Sequence, residues 1–257
     1  PDNQSKVKSV KIVFLQARYP TKGSNFMSKC MIGILGGMGP RSTAPFIDAV
    51  VDQCQKIYGA LLDEEFPKMM ILSLPTPFYV DRPINHSLMK NTIVGGLQEL
   101  ESTGVNFIVM PCNSAHAYYS DLASAINIPL LNIITETLPF LGSSGPVTLI
   151  GTQGTFDSGL YQMGFKSTKL EFIFHSKWQK KINQIITLIK SGKVKEEACI
   201  YWNEFLSDLK NSQVEQAVIA CTDLNAVLPL SKTNIVFIDS TESLAKATVN
   251  KYLLESG

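Results

Sequence analysis

The chain has 257 residues, 45% of them hydrophobic, and a formal net charge of +1. That is enough apolar material for one large core or two modest ones, yet no run approaches the roughly 20 apolar residues that a bilayer span requires. Residues 1–30 carry six Lys/Arg against the single acid Asp2, which leaves −4 on the remainder, so the body offers no basic, aromatic-interleaved face for nucleic acid.

The basic leader holds only a four-residue apolar stretch, Ile12–Leu15, too short for the apolar core of a signal segment. Residues 1–30 are read as a dispensable extension that need not be ordered. MIGILGGMGP (31–40) then predicts a buried strand entering a glycine turn, and Thr43–Tyr58 has helical spacing. Lys68–Leu74 predicts a second strand before the loop PTPFYVDRP, Leu88–Leu100 a helix, and Val105–Met110 a third strand. Ala115–Ile126 predicts a helix and PLLNII (129–134) a further strand.

A second cycle opens with PVTLIGTQGT (146–155), followed by helices over Ile182–Lys190 and Ala198–Leu209 and a strand over Val214–Ala220. Strands alternating with helices in this way predict an α/β protein with mainly parallel sheets covered on both faces. FIVMPCNSAH (107–116) and AVIACTDLNA (217–226) align at an offset of 109 without a gap, pairing Cys112 with Cys221 and Val105 with Val214. A duplicated unit of this kind makes two pseudo-symmetric, doubly wound α/β domains. Their strand ends would face an interdomain cleft, where such sheets bind ligands. The expected division is 31–130 plus 234–257 for the first domain and 131–233 for the second.

Five cysteines without CxxC or other metal-like spacing imply neither a disulfide framework nor a metal site, and reduced thiols fit a cytoplasmic setting. A cysteine at a strand end is ordinarily a small apolar filler, and Cys30, Cys54 and Cys199 are read so. Cys112 and Cys221 differ because they match each other and are followed by hydroxyl or amide residues. Each would open a helix, where terminal N–H groups lower a thiol pKa toward neutrality. One thiolate could then take a proton from carbon while the opposing thiol supplies one to the other face, which inverts a stereocentre. Asn113, Ser114, Thr152 and Thr222 are the candidate donors to a substrate carboxylate as charge develops there. Ala115 joins them at the helix start, and Met38 of the glycine turn would line the cleft. GGMGP lacks the spacing of a dinucleotide fingerprint. His116 is open between orienting the site and simple packing.

IGILGGMGP, PCNSAH and ACTDL together resemble the signature segments of the aspartate/glutamate racemase family, in its aspartate racemase branch, in order and spacing from residue 31 to about 240. The resemblance implies racemisation without cofactor or pyridoxal phosphate, with Cys112 and Cys221 as the two bases, in two pseudo-symmetric domains that commonly form a homodimer. It implies a small-molecule partner, an acidic amino acid, and neither nucleic acid nor membrane. By motif position, Arg82 of YVDRP and Lys190 of IKSGKVK are the cations for the side-chain carboxylate of aspartate, a role suited to an Arg fork and a Lys point charge. Ala220, Asp223 and Ser114 depart from the family pattern, which has Gly, Glu and Thr there. The alternatives are a related two-cysteine isomerase, acting on glutamate, a broad range of amino acids or maleate, and a catalytically impaired amino-acid-binding paralogue.

Overall fold

Met31–Gly36 (β1) is apolar and buried at all six positions, as a central parallel strand with helices over both faces requires. In the computed structural model, which describes residues 30–78, 84–192 and 195–256, β1 lies between Lys68–Ser73 (β2) and Phe107–Val109 (β3) in a parallel sheet of order β2-β1-β3. Ile32 pairs with Met69 on one side and Phe107 on the other. Leu130 adds a single parallel bridge to Ile108 beyond β3. Residues 1–29 and Arg82 lie outside the described residues.

The second sheet repeats this plan. Val147–Gly151 (β4) and Gln216–Ala220 (β5) are buried throughout, Val236–Asp239 (β6) flanks β5 in the order β4-β5-β6, and Phe172 bridges Val147 on the other side. Across the two sheets the lateral order is therefore β2-β1-β3-Leu130 and Phe172-β4-β5-β6. β1 corresponds to β4, both ending in a glycine turn, and β3 corresponds to β5, both leading to a cysteine. The pseudo-symmetric pair of parallel α/β units expected from the sequence is present.

Helices cover both sheets. Thr43–Tyr58 (α1) stops at Gly59, whose φ of 76° gives the left-handed cap, and His86–Ser102 (α2) starts where the Asn85 side chain accepts from the Leu88 N–H. Tyr119–Ser124 (α3) and Ile133–Thr137 (α4) complete the first half. Gln153–Asp157 (α5), Leu160–Lys166 (α6), Ser176–Ser191 (α7) and Lys195–Asn211 (α8) belong to the second. Trp178, Ile182 and Ile185 of α7 meet Trp202 and Phe205 of α8 in one core. Ser240–Ser256 (α9) returns to pack on α1 and α4, burying Leu244, Val249 and Tyr252 with Phe46 and Val50. Thus β6 joins the second sheet while α9, directly after it, covers helices of the first half. Among the described residues no helix is long and apolar enough to cross a membrane.

Two expected elements differ. PLLNII pairs only at Leu130, because the Asn132 side chain accepts from the Ile134 N–H and starts α4 within the segment. The expected helix over Ala115–Ile126 begins as a 3-10 turn, Ser114–Tyr118, and becomes α-helical only over α3.

Candidate active site

Both cysteines leave their strands in similar ways. Cys112 follows β3 by two residues and its N–H donates to the Met110 carbonyl at 2.8 Å, while Cys221 follows β5 directly. Each is succeeded by a 3-10 turn, Ser114–Tyr118 and Thr222–Ala226. Each thiol then meets the side chain two residues on: Cys112 Sγ lies 3.5 Å from Ser114 Oγ, and Cys221 Sγ lies 3.9 Å from Asp223 Oδ2.

The two thiols line one cavity of about 130 Å³ between the halves of the chain. Since a single water needs about 10–15 Å³ on this measure, there is space for a molecule of amino-acid size. Met38, Asn113, Ser114 and Ala115 from the first half, with Thr152, Lys190 and Thr222 from the second, line the same cavity. The carbonyl and amide of Asn113 are already engaged, however. Its Nδ2 donates to Ser240 Oγ at 2.9 Å and its Oδ1 accepts from Tyr161 O–H at 2.7 Å, which fixes the loop behind Cys112. Thr152 caps α5 by accepting from the Thr155 N–H at 3.2 Å.

Lys190, in the last turn of α7, sends its ammonium to Asp223 Oδ2 at 2.8 Å and lies 5.7 Å from the Phe78 ring centroid. Gly39 makes room for it, since a Cβ there would stand 3.0 Å from Lys190 Nζ. Burial by itself lowers the Lys190 pKa, but the hydrogen bond and charge of Asp223 outweigh it and hold the group above its usual value as an ammonium. His86 adds a polar edge, with Nδ1 2.6 Å from Tyr118 Oη.

The expected lowering of the thiol pKa values is overturned. Burial pushes the Cys112 thiol up, against the Ser114 hydroxyl, the Ala115 N–H and Lys190, which favour the thiolate. Burial together with the Asp223 carboxylate pushes Cys221 up to about 12, while the Asp223 N–H and Lys190 oppose the rise. The turns that follow the cysteines are too short to supply a strong dipole, so desolvation wins. Both thiols are therefore held in the protonated form at neutral pH, in spite of the Lys190 ammonium nearby.

His116 stands behind the cavity, 1% exposed. Its Nε2 accepts from the Ile133 N–H at 3.2 Å, so Nδ1 carries the hydrogen and donates to the Cys112 carbonyl at 2.8 Å. Burial lowers its pKa, and the carbonyls of Cys112 and Leu131 pull the other way. The imidazole thereby ties the Cys112 turn to the start of α4. The residue at the matching offset is Asn225, whose side chain favours the ionised form of Asp239 at the end of β6. Tyr161 and Ser240 were not legible in advance, because they arrive from α6 and α9 and carry no local signature. Among the described residues no three His, Cys, Asp or Glu converge in a way that could hold a metal ion.

Residues 35–248 match the Asp/Glu/Hydantoin racemase family. The chain is 45% identical over 224 residues to the broad specificity amino-acid racemase RacX of Bacillus subtilis, covering 87% of this chain and 98% of that protein. The aspartate racemase of Picrophilus torridus superposes with a TM-score of 0.74 at 26% identity, covering 87% of this chain and 94% of that one. Glutamate racemase from Thermus thermophilus superposes with a TM-score of 0.62 at 19% identity, over 89% and 82% of the two chains, a likeness of fold.

Proposed function

The chain belongs to the Asp/Glu/hydantoin racemase family and is an amino-acid racemase, and from that premise we propose that Cys112 and Cys221 invert the substrate's Cα between them. The observation that carries this reading is the placement of two thiols, at pseudo-equivalent strand ends, on one cavity of amino-acid size. In one direction, the thiolate on one side takes the Cα proton, so that a C–H bond breaks and an S–H bond forms. The electron pair passes into the substrate carboxylate, and the opposite thiol returns a proton to the other face. One S–H bond is lost and one gained, nothing is oxidised or reduced, and no cofactor is required.

The substrate helps to create its own base. An α-ammonium group entering the cleft brings positive charge that favours a thiolate beside it, so that one thiol gives its proton to bulk water as the substrate binds, against the desolvation that otherwise holds both thiols protonated. Hydroxyls of Ser114, Thr152 and Thr222 and the N–H groups of the two turns supply donors for the carboxylate as negative charge grows on it.

Aspartate enters this reading as one member of a panel. Of the two cations assigned to its side-chain carboxylate, Arg82 lies outside the described residues and Lys190 is already held by Asp223, and the 45% identical relative is a broad specificity enzyme. The test is incubation of single enantiomers of acidic, neutral and basic amino acids in deuterium oxide with the purified protein. Deuterium should enter at Cα and optical activity should fall without added cofactor. Absence of exchange with every amino acid overturns the proposal.

A further inference from the structure

We propose that Tyr161 and Ser240 are positioning residues that set the Cys112 thiol in place relative to Cys221, and so decide whether a carbanion formed in the cleft is inverted or returned to its original configuration. The inference deepens the two-thiol reading and rests on it. The Asn113 side chain, next in sequence to Cys112, is 4% exposed and is held from two directions. Tyr161 of α6 donates its hydroxyl to Oδ1 at 2.7 Å, and Nδ2 donates to Ser240 Oγ at 2.9 Å. Tyr161 and Ser240 are both buried, and a buried polar cluster whose partners are all present is rigid. Burial also raises the Tyr161 pKa, which keeps its hydroxyl a donor.

Neither partner belongs to the sheet that carries Cys112. α6 lies in the second half, and Ser240 follows β6, whose Asp239 pairs with Ile219 of β5. Ile219 stands two residues before Cys221. A short path therefore runs from one thiol to the other without passing through substrate, by the peptide bond to Asn113, the hydrogen bond to Ser240 and the ladder between β6 and β5. Its corner is stiffened in turn, since the Asp239 carboxylate accepts from the Thr241 N–H at 2.8 Å and the Asp239 carbonyl from Ser243 Oγ at 2.9 Å.

Inversion needs a thiol on each face of Cα, whereas exchange needs one. A misplaced Cys112 therefore acts oppositely on the two enantiomers. Where Cys221 removes the proton, delivery from Cys112 slows; the Cys221 S–H exchanges with solvent and returns a deuteron to the same face, so label enters without inversion. Where Cys112 removes the proton, formation of the carbanion and its return to Cys112 slow equally, so a larger share of the carbanions formed is inverted.

The test takes both enantiomers of the chiral protein amino acids, beginning with aspartate, methionine and lysine, and keeps the pair that wild type turns over fastest. Wild type, Tyr161→Phe and Ser240→Ala are then followed in deuterium oxide, recording label in recovered substrate against inverted product. Thr248→Val, which removes another buried hydroxyl bond of α9, controls for lost stability. Tyr161→Phe and Ser240→Ala should each raise retained label per inversion about tenfold for one enantiomer and lower it for the other, less than the roughly hundredfold that a displacement of about 1 Å causes. Ser240→Thr, which keeps the hydroxyl, should restore the wild-type ratios. Ratios that stay unchanged for both enantiomers, or move the same way for both, overturn the inference. One folded variant decides, and failure of both to fold also overturns it, since the two bonds would then be props of the fold alone. If wild type exchanges none of the amino acids, the racemase reading itself falls, which is a different result.

Discussion

Ser114 and Asp223 occupy the same place in the two halves, two residues beyond each thiol, but one presents a hydroxyl 3.5 Å from Cys112 and the other a carboxylate 3.9 Å from Cys221. The hydroxyl favours the thiolate and the carboxylate opposes it. The halves of this cleft are alike in fold and unlike in charge.

Alkylation should reveal that difference. Iodoacetamide reacts with thiolates, and Cys112 is more exposed than Cys221 and has a hydroxyl rather than a carboxylate two residues on. Peptide mass spectrometry between pH 7 and 10 should find Cys112 modified first, with modification of Cys221 climbing steeply at the alkaline end. Ser114→Asp, which copies the other half, should slow Cys112 by about tenfold or more, since each pKa unit is a factor of ten in thiolate. Faster modification of Cys221 than Cys112 at pH 8 contradicts the assignment.

The same shift makes a stability statement. The Cys221 pKa rises from 9.0 to about 12 on folding, so between those values the folded chain holds a proton that the unfolded chain has lost. Stability from this group is full below pH 9 and falls as pH rises, by up to about 1.4 kcal/mol per pH unit. Urea unfolding at pH 8 and pH 10 should show wild type losing about 1 kcal/mol more than Cys221→Ala. Parallel pH slopes for the two proteins would show that the thiol is not desolvated as described.

His116 titrates in the opposite sense. Its pKa is lowered on burial, so its contribution is full above the unfolded value near 6.5 and is lost as pH falls. His116→Ala should remove the acid-side loss while costing about 2–4 kcal/mol at neutral pH, from a cavity and from two backbone groups left without partners. Because the imidazole holds the Cys112 carbonyl, activity should fall through kcat more than through KM. Unchanged kcat with lowered stability would reduce His116 to packing.

Much of the scaffold was readable from pattern. All-apolar runs bounded by glycine turns located β1 and β4, and the matched cysteines located the ends of β3 and β5, because buried parallel strands leave so little compositional freedom. Asn132 was not read as a helix start, since one capping side chain outweighed the β-like composition around it. The segment 234–257 was assigned to the first domain but not divided into β6 and α9, because α9 buries residues on two faces, against α1 and α4, which blurs its periodicity. Within the site, local motifs placed Met38, Asn113, Thr152 and Thr222 beside the two cysteines, but not Phe78, Ile84 and Met89 of the cavity's apolar wall, which come from segments without a signature. The pairing of Lys190 with Asp223 was not legible either, because it joins α7 to the turn after β5 and depends on the room left by Gly39 in the opposite half.

Glycines 37, 95 and 96 separate backbone constraint, open space and close packing in one experiment. Gly37 has a φ of 89°, and a Cβ there would stand 2.5 Å from the Leu74 backbone N and O. Gly37→Ala combines strain with an immovable clash and should cost about 3 kcal/mol or more, with loss of the turn that carries Met38. Gly96 faces the core, where a methyl would lie 2.9–3.0 Å from Leu74 and Leu35 side-chain carbons. These can shift a little, so Gly96→Ala should cost about 1–2 kcal/mol of overpacking. Gly95, its exposed neighbour in α2, has nothing within 4 Å of that position. Gly95→Ala should stabilise by about 0.5–1 kcal/mol, by removing glycine's excess freedom in the unfolded chain. Thermal unfolding of the three variants should therefore rank Gly95→Ala above wild type, then Gly96→Ala, then Gly37→Ala. Any exchange of places would show that the packing of β1 against α2, and of the glycine turn against Leu74, differs from that described.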